Sequence, residues 1–250
     1  MGTTAKKSFW EKKVLKWEKA RYWGDTGDQA WLERLVKHGG GSVARRLRVA
    51  AEFVRPHLEG KILLDAGCGS GLLFRLLADS GARKFVGIDL AQNAINNARD
   101  IADRCDYADR STFLVGNIID VELPDFDIVV LLGLLDWLSL EEIHQLFSRL
   151  EGKSFVASIS ERRANVQQLL HRIYVFLAYG WRSGSYVPRY YPVSVILSLL
   201  ERHSSCDIHV YRDAKLSFGV ILHNLPARPT PAPTEKDTRG EGPANPRFMP

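Results

Sequence analysis

Between Lys61 and Gly71 the chain reads KILLDAGCGSG, which sets a carboxylate, Asp65, behind a short apolar run and follows it with Gly67, Gly69 and Gly71. No large side chain stands at those three positions, so a ligand can lie against the backbone there. About 20 residues past the glycines, the apolar run Phe85 to Ile88 ends in Asp89, placed as a carboxylate that accepts hydrogen bonds from both hydroxyls of a ribose. The chemistry these residues allow is the holding of a nucleoside.

Spacing narrows the nucleoside. The dinucleotide fingerprint G-x-G-x-x-G needs its third glycine at position 72, which is Leu72; here that glycine comes one residue early. Asp65 adds negative charge beside the turn, which opposes a pyrophosphate and suits a ligand carrying an ammonium or sulfonium centre. Both details favour S-adenosyl-L-methionine over NAD.

The elements that must position these residues alternate between strand and helix. Lys61 to Leu64 reads as a buried parallel strand, and Leu72, Leu73, Leu76 and Leu77 recur at helical spacing behind the glycines. On this reading the glycines open a helix whose unpaired N–H groups and positive dipole end face the ligand. Ala91, Ala94, Ile95, Ala98, Ile101 and Ala102 form a helical stripe, then strands follow at Thr112 to Val115 and Asp127 to Leu132. Helical spacing returns at Leu140, Ile143, Leu146, Phe147 and Leu150, with further strands near Ser154 to Ser158, Cys206 to Tyr211 and Leu216 to Leu222. Repeated strand and helix units predict an α/β fold, a parallel sheet covered on both faces.

On Asp65, Gly67, Gly69, Gly71 and the distant Asp89, the chain resembles the class I S-adenosylmethionine-dependent methyltransferases of small-molecule type, over roughly Lys61 to Leu225. That resemblance implies a Rossmann-like sandwich with a mostly parallel seven-stranded sheet, an antiparallel edge strand and helices on both faces. It implies that the loop Gly67, Cys68, Gly69, Gly71 packs on the methionine portion and that Asp89, with Leu90 beside it, holds the ribose. In the family an acidic residue after the third strand meets the adenine. Here that place is taken by Asn117, followed by Ile118, and an amide oxygen can still accept the bond.

Substrate-side candidates lie outside the glycine motif. Asp136 and Trp137 leave the fourth strand on its carboxyl side, where open α/β sheets bind ligands. Asp136 is the candidate catalytic base and Trp137 an apolar wall, while the competing reading makes them ordinary helix-start residues. Residues 1–45 read as an amphipathic basic helical lid, with Trp10, Val14 and Trp17 among Lys12, Lys13, Lys16 and Lys19 and with Tyr22 and Trp23 near the methionine end. The domain proper is expected over 46–225, with a helical substrate insertion near 160–203 in which Arg189, Tyr190 and Tyr191 supply an anion contact and flat walls. The segment 226–250, rich in proline and polar residues, reads as disordered.

Composition sets the outer bounds. With 250 residues and 45% hydrophobic content the chain can bury a large core as one domain. Cys68, Cys105 and Cys206 show no metal-ligand pairing, and no metal is expected. No run approaches the ~20 apolar residues of a membrane span and no signal-type apolar segment opens the chain, which predicts a cytoplasmic protein, with a weak peripheral membrane contact left open by the basic helix. A net charge of +5 without an RNA-binding signature argues against nucleic acid as partner. The expected reaction is methyl transfer to a small-molecule acceptor, a glycan, lipid, quinone or porphyrin intermediate, at oxygen by in-line displacement. Its rivals are a non-catalytic S-adenosylmethionine-binding scaffold or regulatory subunit and an NAD(P)-dependent oxidoreductase.

Overall fold

The computed structural model describes residues 2–22, 39–177 and 186–226. The strands are β1 (Ile62–Ala66), β2 (Lys84–Asp89), β3 (Ser111–Val115), β4 (Ile128–Leu131), β5 (Ser154–Ser160), β6 (His209–Tyr211) and β7 (Gly219–His223). The helices are α1 (Thr3–Tyr22), α2 (Gly39–Val54), α3 (Leu72–Leu77), α4 (Gln92–Arg104), α5 (Leu140–Arg149), α6 (Val166–Val175) and α7 (Val193–Leu200).

One seven-stranded sheet runs in the order β3-β2-β1-β4-β5-β7-β6. The first five strands are parallel; β7 pairs antiparallel with both β5 and β6, so the reversed strand lies one place in from the edge that β6 forms. Parallel strands buried on both faces need apolar side chains on both, and β1 shows it: Leu63 packs into one layer, Leu64 and Ala66 into the other. The first layer is closed by Val49, Ala50 and Val54 of α2, Phe74 and Leu77 of α3 and Ile95 and Ala98 of α4. The second is closed by Ile143, Leu146 and Phe147 of α5 and Ile196 and Leu200 of α7.

From β1 the chain crosses to β2 on one side, and β4 flanks β1 on the other. Between β1 and β4 the connections diverge, and a crevice opens at the carboxyl ends of the strands. Asp65 stands in register with Gly87 on β2 and Val130 on β4, which puts it at the floor of that crevice. The last two strands are shorter than their apolar runs. Leu216 belongs to a 3-10 turn, Ala214–Leu216, and is fully buried, so its apolarity reflects packing and not strand pairing.

Candidate cofactor site

The loop that leaves β1 consumes its own donors. Gly67 and Cys68 donate their backbone N–H groups to Ile88 O at 2.8 and 3.1 Å, and Gly71 donates to Cys68 O at 2.9 Å. Gly69 donates to Asp89 Oδ2 at 2.9 Å and Ser70 to Glu18 Oε1 at 2.8 Å. Each backbone N–H from Gly67 to Gly71 therefore has a protein acceptor. Tight curvature is the cause: φ is +78° at Gly67, +52° at Gly69 and +69° at Gly71, a left-handed path that folds the donors back onto β2 and that glycine adopts without strain. A loop without spare donors cannot cradle a pyrophosphate.

What faces the crevice instead is carboxylate. Asp65, Asp89 and Glu18 line it together with Gly67, Cys68, Gly69, Leu90, Asn117 and Ile118. Asp65 is 5% exposed, and burial, reinforced by the charges of Asp89 and Glu18, pushes its carboxyl up to about 8. Glu18 is pushed up to about 6, mainly by burial, against the hydrogen bonds from Ser70. Asp89 is also raised by burial, opposed by the N–H groups of Ala91 and Gly69. Its Oδ1 accepts from Ala91 N at 2.9 Å, and each oxygen keeps a second lone pair for a ribose hydroxyl. Three carboxyls at one crevice lower their mutual cost by taking a cation between them. Burial also pushes the Cys68 thiol well up, which keeps it a thiol and removes it as a nucleophile.

Glu18 reaches the site from α1, and it is the residue the sequence did not single out. Its carboxylate accepts from both the backbone N–H and the hydroxyl of Ser70, whose Oγ in turn accepts from Asn97 Nδ2 at 2.8 Å. Two further contacts fasten the same helix. Glu11 accepts from Gln92 N at 2.8 Å and Asn93 N at 3.1 Å, supplying the cap that α4 lacks because Ala91 stands at its own N-cap position. Lys6 pairs with Glu142, which also completes a capping box with Ser139 at the start of α5. The inward face of α1 is thus Lys6, Val14 and Glu18, all buried, with Trp10 partly so; charged Lys6 and Glu18 share the inner face with Trp10 and Val14 because each meets a partner across the crevice. Trp10, Trp137 and Tyr186 meet over the mouth, with ring centroids 4.7 Å apart for Trp10 and Trp137 and 5.0 Å for Trp137 and Tyr186.

Comparison with known proteins agrees with this geometry. The family model described as "Methyltransferase domain" matches residues 63–152, the stretch that holds Asp65, the glycine loop, Asp89 and Asn117. Magnesium protoporphyrin IX methyltransferase from Synechocystis PCC 6803, solved with bound SAH, superposes with a TM-score of 0.68 at 18% identity over 89% of this chain and 98% of that one. Residues 63–152 thus match a methyltransferase domain, on a fold shared with that solved methyltransferase. A second solved structure, the mitomycin 7-O-methyltransferase, has a TM-score of 0.56 at 16% identity over 74% of this chain and 54% of its own. Among curated relatives, protein arginine N-methyltransferase 1 of Saccharomyces cerevisiae is 38% identical over 64 residues, 26% of this chain and 18% of that protein. Ribosomal protein L11 methyltransferase of Enterobacter sp. is 41% identical over 76 residues, 29% of this chain and 25% of its own. The chain thus spans a quarter or less of these two curated relatives.

Around the crevice the remaining candidates separate. Gly71 sits behind the crevice as the N-cap residue of α3, packed near Ala98 and Phe113. Asn117 lines the crevice; its Nδ2 donates to Asp120 Oδ2 at 2.7 Å and its Oδ1 accepts from Ile119 N at 3.3 Å. Trp137 lines it as expected, but its neighbour Asp136 does not. Both Asp136 oxygens are taken by Ser160, from N at 2.6 Å and Oγ at 2.9 Å, and Arg46 lies 3.8 Å away, so the proposed base points into the sheet and braces the wall. Burial nevertheless raises its carboxyl, against Arg46 and Ser160. Arg189, Tyr190 and Tyr191 are also absent from the crevice. They line a second groove beside α6, with Tyr191 buried and its hydroxyl donating to Leu138 O, because the backbone bond from Arg189 N to Asp136 O at 2.6 Å turns them to the far side of that loop. The Tyr22 side chain, Trp23 and the segment 227–250 lie outside the described residues. Among the described residues no cluster could hold a metal ion, and no helix is long and apolar enough to cross a membrane.

Proposed function

We propose that this protein transfers a methyl group from S-adenosylmethionine to a small-molecule acceptor, at oxygen. The observation that carries the reading is the pairing of a donor-exhausted glycine loop with three inward carboxyls, which fits a cationic nucleoside and disfavours a dinucleotide. Asp65 and Glu18 face the positive methionine end, Asp89 takes the ribose hydroxyls, and Asn117 with Ile118 borders the base. When bound, the cofactor would supply an electrophilic methyl carbon to which an acceptor oxygen bonds in line as the carbon–sulfur bond breaks, with S-adenosylhomocysteine as the leaving group.

The chain's own contribution is position and dryness. Helix α1 acts as a lid whose Trp10 joins Trp137 and Tyr186 into an aromatic wall, holding a flat acceptor against the methyl group and keeping water out. Because Asp136 is occupied by Ser160, the reading assigns no side-chain base, which suits an acceptor that ionises readily, such as a carboxyl or a phenol. Solved neighbours that act on a porphyrin and on mitomycin support a small-molecule acceptor.

The test is calorimetric binding of S-adenosylmethionine, S-adenosylhomocysteine and NAD, followed by turnover on a panel of aryl and carboxyl acceptors beside an arginine-containing peptide. Selective binding of the first two and S-adenosylhomocysteine release with a small oxygen acceptor support the proposal. Binding of NAD alone overturns it, and turnover with the peptide alone moves the acceptor to protein nitrogen.

A further inference from the structure

Helix α6 is built inside out for water. Its Gln168 is 1% exposed and bonds inward, donating to Glu161 O at 2.7 Å and accepting from Arg163 N at 2.6 Å. Outward it and the turn that follows present Val166, Leu169, Leu170, Ile173, Phe176 and Leu177, which are 48 to 73% exposed. These six recur at spacings of three and four, the pattern of one continuous helical face. The stripes of α5 and α7, by contrast, are spent on the core. An exposed apolar stripe of this extent marks a surface that meets something other than water.

Charge identifies what it meets. From Arg162 to Leu200 the sequence contains five arginines and no aspartate or glutamate. Arg162, Arg172 and Arg189 line the groove along the edge of this face, and among the described residues none of them forms an ion pair with a carboxylate. Arg172 lies over the Tyr190 ring and Arg189 bonds Tyr191, and no carboxylate among the described residues offsets their charges. An apolar stripe rimmed by such arginines is complementary to a bilayer whose headgroups are anionic: the stripe enters the boundary of headgroup and acyl chain while the guanidinium groups take phosphates.

We propose that α6 docks this protein on the surface of an anionic lipid bilayer. The docking helix is not α1, whose buried face is committed to the cofactor crevice. The groove residues Val187 to Tyr191 follow directly on Tyr186 at the crevice mouth, so a bilayer under α6 lies beside the opening through which an amphiphilic acceptor would enter.

Sedimentation of the full chain with vesicles tests this, using phosphatidylcholine with and without phosphatidylglycerol. The wild type pellets with the anionic vesicles and not with the neutral ones, and added salt weakens the association. The double variant Leu170→Glu/Ile173→Glu, placed on half-exposed or more exposed positions, stays in the supernatant while keeping its melting temperature and its affinity for S-adenosylhomocysteine. Arg162→Gln/Arg172→Gln, which leaves the apolar stripe intact, reduces binding roughly thirtyfold. Failure of the wild type to pellet with anionic vesicles overturns the proposal, as does equal pelleting of wild type and the double glutamate variant. A lipid-free dimer in sedimentation velocity that the glutamate variant abolishes overturns it in favour of a second copy on this face.

Discussion

Glu18 and Ser70, 52 positions apart in the chain, join α1 to the glycine loop: the backbone N–H of Ser70 donates to Glu18 Oε1 at 2.8 Å and its hydroxyl donates to Oε2. One side chain thus closes the crevice and adds the third carboxyl to its wall. Glu18→Gln keeps an acceptor for the N–H but removes the charge, and S-adenosylmethionine affinity should fall about tenfold, in line with ~1.5 kcal/mol for a charge-assisted contact. The ligand-free melting temperature should hold or rise, since a buried acid is removed. Unchanged affinity by calorimetry would mean that Glu18 fastens the helix without meeting the cofactor.

Proton release accompanies binding. Asp65 and Glu18 are held above their ordinary values, at about 8 and about 6, so between roughly pH 4 and 8 the folded protein carries protons that the unfolded chain has lost. Ligand-free stability should therefore decline as pH rises from roughly 4, more steeply up to about 6 where both groups contribute, and level off above about 8. A bound cation lowers both values, so affinity for S-adenosylmethionine rises with pH across the same window. Calorimetry in two buffers of different ionisation enthalpy should show proton release, with Asp65→Asn removing the upper part; equal heats in both buffers would contradict the arrangement.

Asp89→Ala should weaken binding of both S-adenosylmethionine and S-adenosylhomocysteine by about a hundredfold or more, the loss of two bonds to a charged acceptor at ~1.5–3 kcal/mol each. Since Asp89 also holds Gly69 N and Ala91 N, the same variant should melt a few degrees lower. Wild-type affinity in this variant would remove Asp89 from the ribose.

Close approach makes two glycines intolerant. A Cβ on Gly87 would stand 2.8 Å from both Cys68 Sγ and Phe113 Cδ1, so Gly87→Ala should destabilise by about 1–3 kcal/mol, with Cys68→Ala recovering part of it. A Cβ on Gly69 would overlap Glu18 Oε1, so Gly69→Val should displace the lid carboxylate and abolish cofactor binding. Thermal melts and calorimetry separate the two effects.

Asp136→Asn probes the brace. Removing the charge beside Arg46, whose Nε is buried without a hydrogen-bond partner, should cost about 2–4 kcal/mol of stability. The pH–rate profile for an acidic acceptor should keep its shape. A lost acidic limb would restore Asp136 as the base.

The sequence by itself determined the parts whose logic is local. Asp65, the glycines and Asp89 sit within one strand, loop, helix and strand unit, so spacing along the chain is enough to place the cleft and to favour S-adenosylmethionine over a dinucleotide. Apolar runs of the right length gave β1 to β5 to within a few residues, since a strand buried on both faces has no other composition. Tertiary structure decided everything that depends on pairing across long separations: Glu18 and Lys6 appear as ordinary members of a lysine-rich helix until the loops they meet are known. Asp136 and its neighbour Trp137 diverge in direction within one turn, a matter of backbone path and not of residue type. Gly87 matters only because Cys68 and Phe113 converge on it from other elements. The apolar face of α6 reads as core by its periodicity, and only the three-dimensional arrangement, with Gln168 turned inward, shows that it faces out.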